Sequence, residues 1–483
     1  MNICMIGTGY VGLVTGVVFS ELGNQVTCVD KDIVKIDRLN HGRMPIYEPG
    51  LEEMTLRNVM EGRLFFSDDL EEAVAWADII FIAVGTPPRE DGSTNLSYIE
   101  SASIEIAHAM NDYKVIVNKS TAPVGSAEFV RKVILTNQRY SIDFDVLSNP
   151  EFLREGSAIM DTLHPERIVI GASNHKAAMP LIELYSPLER PLIITDIASA
   201  ELIKYASNSF LSVKISFANA LAHLCESAGA DVTQVVKGMG MDSRIGASFL
   251  SAGLGYGGSC FPKDTRSFLH TANSHGCSFP LLNATIQTNE EQPKRFIVKI
   301  HKAMGGQDLK GRTIGVLGLA FKPDTDDMRE AKSLDIITDL LHSGAAVKAY
   351  DPIAMENARA IFPQISYEDN PYDVAAGTDA LILVTEWDEF KTLNFMRLAT
   401  LMRRPLILDG RNMWDPDRMR SMGFEYHSVG RSSVYPLEDK SRYSIHSSEE
   451  SKSAAIIDTQ QLERKNPADS RLQHQLGWRG LRR

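Results

Sequence analysis

The sequence contains few cysteines, and its basic residues are outnumbered by acidic ones. Among 483 residues there are five cysteines, and no two of them form a Cys-x-x-Cys pair. An odd number without such pairs supports neither a disulfide framework nor a zinc site, and it is typical of a reducing compartment. The net charge of −12 excludes a general nucleic-acid binder, because no basic surplus is available to neutralise phosphates.

Long apolar runs are missing as well. No segment approaches the roughly 18 consecutive apolar residues of a membrane span, and the apolar start of the chain lacks the basic segment of a secretory signal. The apolar and charged fractions, 43% and 23%, are ordinary for globular proteins, and the length suffices for two or three domains. We therefore expect a cytoplasmic enzyme with neither a nucleic-acid nor a membrane partner.

Short apolar segments alternate with helix-like segments in the first third of the chain. Near-continuous apolar strands of this kind predict a parallel sheet covered by helices on both faces. The strands are expected at 2–7, 25–30, 78–85, 114–120, 144–150 and 167–172. The alternation resumes at residue 311, where four more strands and a helix over 330–343 predict a second, similar unit.

The segment between the two units shows a helical pattern. One helix of roughly 28 residues is predicted to begin near Ser199 and to end at Gly229, and further helices follow to about residue 300. The predicted fold class is α/β, with two Rossmann-like doubly wound parallel-sheet domains joined by a long helical central region. We expect a cleft between the two units. The predicted domains are 1–198, 199–300 and 301–431, followed by a polar and disordered tail over 432–483.

The stretch "GTGYVG" places Gly7, Gly9 and Gly12 in the G-x-G-x-x-G spacing. It follows a predicted strand and opens a helix, and Asp30 ends the next strand. A dinucleotide-binding site needs this arrangement, because its glycine turn and the N-terminus of the helix approach the pyrophosphate. Asp30 would accept the ribose hydroxyls and favour NAD over NADP. The alternative is a glycine turn used only for packing.

Polar residues also follow other strands of the first unit. Thr86 in "VGTP" and Thr121 in "KSTAPVG" are expected to face the cofactor or a water, or else to close ordinary turns. In "NPEFLREG", Glu151 and Glu155 are four residues apart and would share one face if Pro150 begins a helical turn. They would then serve acid–base chemistry, or form a solvated helix edge.

Lys204 and Asn208 extend an otherwise apolar stripe of the long helix. A charge on a buried face needs a partner, and a ligand oxygen or a developing oxyanion would supply one. Alternatively, the helix end emerges into solvent there.

The stretch "GLGYGGSCFPKD" carries the most specific chemistry. Its glycines are predicted to leave backbone N–H groups free for an anionic ligand such as a diphosphate. Cys260 lies beside Lys263, whose ammonium is expected to lower the thiol pKa, and Asp264 is placed to activate a water. This indicates a nucleophile rather than a buried structural cysteine. Lys322 and Arg329, after a strand of the second unit, suit phosphates or are solvated loop charges.

Taken in this order, the motifs resemble the UDP-glucose/GDP-mannose dehydrogenase family from residue 1 to about 430. They are "GTGYVG", "VGTP", "KSTAPVG", "NPEFLREG", the long helix with its lysine and asparagine, "GYGGSCFPKD" and "GLAFKPDTDDMRE". The resemblance implies two successive NAD-dependent oxidations at C6 of a nucleotide sugar. The first domain would bind NAD and the third UDP, and the central domain would carry the catalytic cysteine and a dimer contact. It also implies a homodimer or larger homo-oligomer, and no metal.

The resemblance also implies roles for individual residues. Cys260 would form the thiohemiacetal and thioester, Lys204 with Asn208 would stabilise oxyanions, and Asp264, Thr121 and Glu151 would position or activate water. The residues that would contact NAD are Gly7, Gly9, Tyr10, Val11, Gly12, Asp30, Lys35, Thr86, Thr121, Glu155, Lys263 and Arg329. Those that would contact the nucleotide sugar are Glu151, Phe152, Leu153, Arg154, Glu155, Lys204, Asn208, Phe249, Leu250, Ser251, Ala252, Gly253, Gly257 and Lys322.

Within the family, the sequence around the cysteine resembles that of members that oxidise UDP-glucose more than that of members that oxidise GDP-mannose. Oxidation of GDP-mannose is the alternative. A single-hydride dehydrogenase of the hydroxyacyl or phosphogluconate kind would need neither the cysteine nor the second α/β unit. A nucleotide-sugar sensor without turnover would bind both ligands and release no NADH.

Overall fold

An eight-stranded sheet organises the first part of the chain. The computed structural model describes residues 1–436, so all but 432–436 of the predicted tail lies outside the described residues. The strand order is β3-β2-β1-β4-β5-β6-β7-β8. The strands are β1 Asn2–Ile6, β2 Gln25–Val29, β3 Leu64–Ser67, β4 Ile79–Ile82, β5 Lys114–Asn118, β6 Phe144–Ser148, β7 Ile168–Gly171 and β8 Leu192–Thr195.

Six strands of this sheet are mutually parallel, and the last two reverse the direction. β7 meets β6 in an antiparallel sense through the pair Ser148 and Gly171, and β8 then runs parallel to β7. The helices are α1 Tyr10–Glu21, α2 Ile33–Asn40, α3 Leu51–Met60, α4 Leu70–Trp76, α5 Ser97–Ala109, α6 Ser126–Asn137, α7 Ala158–Leu163 and α8 His175–Tyr185. They cover both faces and create two separate apolar cores, as near-continuous apolar strands predict.

The central region is built on α9, Ile197–Ala228, which is longer than predicted at 32 residues. Its N-cap is Asp196 rather than Ser199, because the Asp196 carboxylate accepts the Ser199 N–H. Gly229 ends the helix with a φ of 72°, as predicted. The other central helices are α10 Val232–Gly240, α11 Phe261–Ser274 and α12 Pro280–Met304.

The second sheet has six parallel strands in the order β11-β10-β9-β12-β13-β14. The strands are β9 Thr313–Leu317, β10 Ala346–Tyr350, β11 Ser366–Tyr367, β12 Ala380–Leu383, β13 Leu406–Asp409 and β14 Glu425–Ser428. The helices are α13 Lys332–His342, α14 Met355–Ile361, α15 Pro371–Ala375, α16 Asp388–Lys391, α17 Phe395–Leu401 and α18 Pro416–Ser421. This confirms the predicted fold class, with two parallel-sheet units and a helical region between them.

The central helices share one apolar core with the second sheet. Ala218 and Ala222 of α9 and Phe296 of α12 belong to the same buried cluster as Ile314 and Val316 of β9. The second sheet is therefore fixed to α9 by packing, and α9 also carries the residues that face the first sheet. Residues 1–434 form one compact unit. Within residues 1–436, no helix is long and apolar enough to cross a membrane.

Candidate active site

The glycine turn after β1 leaves space on one side only. A Cβ on Gly12 would lie 1.9 Å from the Gly7 carbonyl oxygen, so this position must be glycine for the turn to close. A Cβ on Gly9 would meet nothing within 4 Å. α1 begins at Tyr10 and no side chain caps its N-terminus, so its first N–H groups face that space. The turn therefore fits the phosphate cradle of a dinucleotide.

Asp30 stands at the end of β2, beside this turn. Its Oδ2 accepts hydrogen bonds from Thr8 N (2.9 Å), Thr8 Oγ1 (2.7 Å) and Lys35 Nζ (2.8 Å). Burial alone would raise the pKa of Asp30, but the hydrogen bonds from Lys35 and Thr8 outweigh it and hold the pKa at about 2. Asp30 is thus an ionised acceptor at the position where a ribose hydroxyl would bind, and Lys35 is its counterion.

A cavity of about 550 Å³ opens where the first sheet meets the central helices. It is lined by the segment after β6, by the N-terminal half of α9 and by the cysteine loop, residues 249–260. The predicted residues in its lining are Glu151, Phe152, Leu153, Arg154, Lys204, Asn208, Phe249 and Cys260. The cavity lining does not include the predicted substrate contacts Glu155, Leu250, Ser251, Ala252, Gly253, Gly257 or Lys322. The cavity therefore brings together four of the proposed catalytic residues, Glu151, Lys204, Asn208 and Cys260, without Asp264 and Thr121, and only part of the predicted substrate set.

Lys204 and Glu151 form a buried ion pair in this cavity. Lys204 Nζ lies 2.7 Å from Glu151 Oε1, and each side chain is only 5% exposed. Burial acts to lower the pKa of Lys204, but the charges of Glu151 and Asp264 and the hydrogen bond to Glu151 more than compensate, so its pKa is raised and the ammonium is retained. The buried lysine thus finds its partner in the protein, whereas the sequence had suggested a ligand.

Asn208 belongs to a second buried group one helical turn further along α9. Its Nδ2 donates to Asp264 Oδ2 at 2.6 Å, and the other oxygen of this fully buried carboxylate accepts from Lys263 Nζ at 2.6 Å. Lys263 Nζ also lies 3.4 Å from Thr86 Oγ1, which donates to the Thr121 carbonyl at 2.8 Å. The two threonine loops are therefore connected to the start of α11 through one lysine.

Cys260 is the residue that precedes α11, and its thiol is largely buried. Burial raises the pKa of the thiol to about 11, and Asp264 adds to the rise more than Lys204 offsets it. The predicted lowering of this pKa by Lys263 is therefore wrong. The reason is local pairing, because the ammonium of Lys263 is bound by Asp264 instead of by the sulfur.

Glu155 connects the segment after β6 with two other parts of the chain. Its Oε1 accepts from Ser259 Oγ at 2.9 Å and its Oε2 accepts from Thr325 Oγ1 at 3.2 Å. Lys322 Nζ donates to the Glu155 carbonyl at 2.5 Å. Burial, and secondly the charge of Asp327, raises the pKa of Glu155 to about 7. This carboxyl is therefore poised to exchange a proton near neutral pH.

Two local predictions about these loops are wrong. Pro150 does not begin a helical turn, because residues 151–154 have no regular structure and the next helix is α7. Glu151 and Glu155 therefore share no helix face, and they bind different partners. In the cysteine loop, the N–H of Gly253 donates to Asn219 Oδ1 and that of Gly258 donates to the Arg329 carbonyl, so these two groups are not free for a ligand.

Three other predicted residues are held by neighbours inside the protein. Arg154 forms an ion pair with Asp161 at 2.7 Å, and Arg329 pairs with Asp327 at 2.7 Å and lies 3.8 Å from Glu155. The hydroxyl of Tyr10 is hydrogen-bonded to the Glu48 carboxylate. These contacts fix the positions of the side chains around the cavity and the glycine turn.

Several polar residues of the site escaped the sequence analysis. Lys119, Asn149 and Tyr185 line the deep end of the cavity, where Asn149 Oδ1 accepts from Lys119 Nζ (3.0 Å) and Tyr185 Oη (2.6 Å). Burial lowers the pKa of Lys119 to about 8. Lys119 and Asn149 begin two of the quoted motifs, so their position was a usable signal, whereas nothing in the sequence marks Tyr185.

Three family models match successive parts of the chain, and they decide its family. All three belong to the UDP-glucose/GDP-mannose dehydrogenase family: residues 1–189 match its NAD binding domain, 198–291 its central domain and 315–416 its UDP binding domain. The chain belongs to the UDP-glucose/GDP-mannose dehydrogenase family. NAD is accordingly the cofactor of this dehydrogenase, and the glycine turn with Asp30 fits it.

Close relatives of this family member cover nearly its whole described length. UDP-glucose 6-dehydrogenase TuaD of Bacillus subtilis is 50% identical over 443 residues, which are 92% of this chain and 96% of the relative. The UDP-glucose 6-dehydrogenase of Rhizobium meliloti is 48% identical over 437 residues, 89% of this chain and 100% of the relative. A UDP-glucose dehydrogenase structure from Pyrobaculum islandicum superposes with a TM-score of 0.83 at 40% identity, covering 89% of this chain and 98% of that one.

Proposed function

We propose that this chain catalyses the NAD-dependent four-electron oxidation of UDP-glucose to UDP-glucuronate at C6. The observation that carries the proposal is the cavity that Cys260 lines together with Lys204 of α9 and Glu151 of the segment after β6, while the Asp264 carboxylate of α11 acts on the same thiol. The relatives of highest identity given above are named as acting on UDP-glucose, which supports this substrate over GDP-mannose.

The first oxidation needs a positive group at the C6 oxygen. Lys204 retains its charge in the cavity, and the Asn208 amide lies one turn further along the same helix. We assign both to stabilising the alkoxide that forms as the hydroxyl loses its proton. When bound, NAD+ supplies the hydride acceptor for both oxidations. The proposed NAD contacts are the glycine turn with Tyr10 and Val11, together with Asp30, Lys35, Thr86, Thr121, Glu155, Lys263 and Arg329.

The second oxidation explains why a thiol stands at this position. Cys260 Sγ adds to the aldehyde carbon and forms a thiohemiacetal, which loses a hydride to become a thioester. Water then hydrolyses the thioester, releasing the acid and returning the thiol. We assign Asp264, Thr121 and Glu151 to holding or activating this water. Because the aldehyde stays bound to sulfur, it is not released between the two steps.

We also propose the division of the chain that this chemistry requires. Residues 1–198 would hold NAD, 199–300 would supply Cys260, and 301–431 would hold the UDP moiety. The nucleotide sugar would lie against residues 151–155, Lys204, Asn208, 249–253, Gly257 and Lys322.

A second copy of the chain is proposed to cover one face of α9. Phe210, Phe217 and Leu224 are spaced by seven residues and are 64%, 52% and 66% exposed. Residues seven apart lie on one face of a helix, so they form an apolar stripe of the kind that helix pairs bury. Replacing Phe217 and Leu224 by lysine should lower the mass found by sedimentation to that of a monomer. An unchanged mass would reject this interface.

The test of the reaction is the amount of NADH formed per nucleotide sugar consumed. UDP-glucose and GDP-mannose are compared for the wild type, for Cys260→Ser and for the control Cys277→Ser, which removes an exposed cysteine that is not part of the cavity lining. We expect two NADH per UDP-glucose for the wild type and the control, and loss of turnover for Cys260→Ser. One NADH, or two with Cys260→Ser, would reject the thioester route. Preference for GDP-mannose would reject the substrate, and no NADH would indicate a sensor.

A further inference from the structure

The proposed nucleophile is a thiol whose proton has to leave before sulfur can attack. Its pKa of about 11 means that the thiol carries this proton at neutral pH. Among residues 1–436, the hydrogen-bond partner of Cys260 Sγ is Ser259 Oγ, at 3.4 Å. A hydroxyl can accept one hydrogen bond while it donates another. The neighbour of the thiol is therefore a group that can pass a proton on.

Ser259 is also bound to a carboxylate. Its Oγ donates to Glu155 Oε1 at 2.9 Å, which directs the hydroxyl proton away from the sulfur and leaves a lone pair for the S–H. Thiol, hydroxyl and carboxylate thus form a row of three groups with a consistent direction of donation. Glu155 is buried, whereas Ser259 and Cys260 are half-buried, so the carboxylate end of the row is the part shielded from bulk water.

The other carboxylates near the sulfur are bound to cations. Glu151 is held by Lys204 and by the Leu153 N–H, and Asp264 is held by Lys263 and Asn208. Glu155 is the one that reaches Cys260 through a hydroxyl. The charged and titratable groups that face Glu155 are Asp327, Arg329, Lys322 and Tyr10. Those that act on Cys260 are Asp264, Lys204, Glu151, Lys263 and Arg329.

We propose that Ser259 is a proton relay, through which Cys260 loses its thiol proton to Glu155 as the sulfur adds to the aldehyde. This rests on the proposed function, because it assumes that Cys260 is the nucleophile. In the step, the S–H bond breaks and the S–C bond forms. Ser259 takes the thiol proton and gives its own to Glu155, while the carbonyl electron pair moves to the oxygen beside Lys204. No oxidant is consumed, since the hydride leaves in a later step.

The relay makes thiol reactivity depend on the ionisation of Glu155. Reaction of Cys260 with iodoacetamide should therefore show two rises with pH, one near 7 as Glu155 ionises and one near 11 as the thiol itself ionises. The full chain is used in a Cys277→Ser background, because Cys277 is exposed. Alkylation of Cys260 is followed by mass spectrometry without any nucleotide sugar.

Ser259→Ala should remove the rise near pH 7 and keep the rise near pH 11. General-base assistance is commonly worth about 10²–10⁴-fold, so we expect the alkylation rate at pH 8 to fall roughly a hundredfold. Ser259→Thr keeps the hydroxyl and should retain both rises. Glu155→Gln keeps a similar shape without the base and should lose the rise near pH 7. Ser243→Ala, an exposed serine outside the cavity lining, is the matched control.

Two outcomes would overturn the relay. A rise near pH 7 that persists in Ser259→Ala shows that the proton leaves by another route. A rate that falls equally at pH 8 and pH 11 shows that Ser259 only shapes the loop. Failure of the proposed function is seen separately, because it appears as two NADH formed by Cys260→Ser, whatever the alkylation profile of the Ser259 variants.

Discussion

The buried ion pair of Lys204 and Glu151 allows a test of how the charges of this site affect the free energy of unfolding. Lys204→Met keeps the length of the side chain but removes the charge. Glu151 would remain buried at 5% exposure, with the Leu153 N–H as its remaining hydrogen bond at 2.8 Å. Removing one member of a buried ion pair costs about 3–5 kcal/mol, because the other charge is left without compensation. We expect a loss of that size at pH 7, well below the raised pKa of Lys204, where the ion pair is intact.

The double variant Lys204→Met, Glu151→Gln separates charge from packing. It removes both charges, so most of the lost free energy of unfolding should return while turnover stays absent. Unfolding is followed by circular dichroism in urea, and turnover by NADH formation. Lys237→Met, on an exposed lysine of α10, is the control and should leave both unchanged.

Two results would contradict this reasoning. If Lys204→Met is as stable as the wild type, the carboxylate of Glu151 is not confined to a buried site. If the double variant regains turnover, the ammonium of Lys204 is not needed for the oxyanion, and its assignment in the mechanism is wrong.

Three further predictions concern the glycine turn, the acid of α11 and the acid of β2. Gly12→Ala should lower the melting temperature because of its clash at 1.9 Å, whereas Gly9→Ala, with open space, should melt as the wild type and show a higher KM for NAD. Asp264→Asn should speed alkylation of Cys260 near pH 8, because it removes a charge that raises the thiol pKa, yet abolish turnover. The pKa of Asp30 is about 2 in the folded protein instead of its ordinary 3.8, so its ionised form stabilises the fold above pH 4. Above pH 4, the variant Asp30→Asn should therefore unfold more easily than the wild type in an acid titration. The difference should vanish as the pH falls toward 2.

The sequence was sufficient for the architecture because both sheets are buried on both faces. Runs of Val and Ile identify such strands without any knowledge of their neighbours. β3, β8, β11 and β14 were not predicted, and all four lie at sheet edges. The antiparallel pairing of β6 and β7 also could not be predicted from the sequence, because the direction of a strand depends on the path of the chain between strands and not on composition.

The sequence analysis proposed the site residue by residue, but it did not predict how those residues pair. Lys204 and Glu151 are 53 positions apart, and Asn208 and Asp264 are 56 apart. Local spacing cannot show such contacts. The error over the Cys260 pKa has a different origin, because Lys263 pairs with Asp264, its own neighbour in sequence, and not with the sulfur. Ser259 was overlooked for the same reason as the other long-range pairings, since its importance depends on Glu155, which is 104 residues away.

The pairings themselves bear on why these charges are buried at all. An ion pair taken out of water is a weak source of stability, and apolar residues of similar volume often stabilise a fold better. The pairs Lys204–Glu151 and Lys263–Asp264 both lie in the region that also holds the thiol, away from the main apolar clusters of the two sheets. Stability therefore does not account for them, whereas the proposed reaction, which would form an oxyanion twice and hydrolyse a thioester, would. The stability and turnover of the double variant should accordingly change independently of each other.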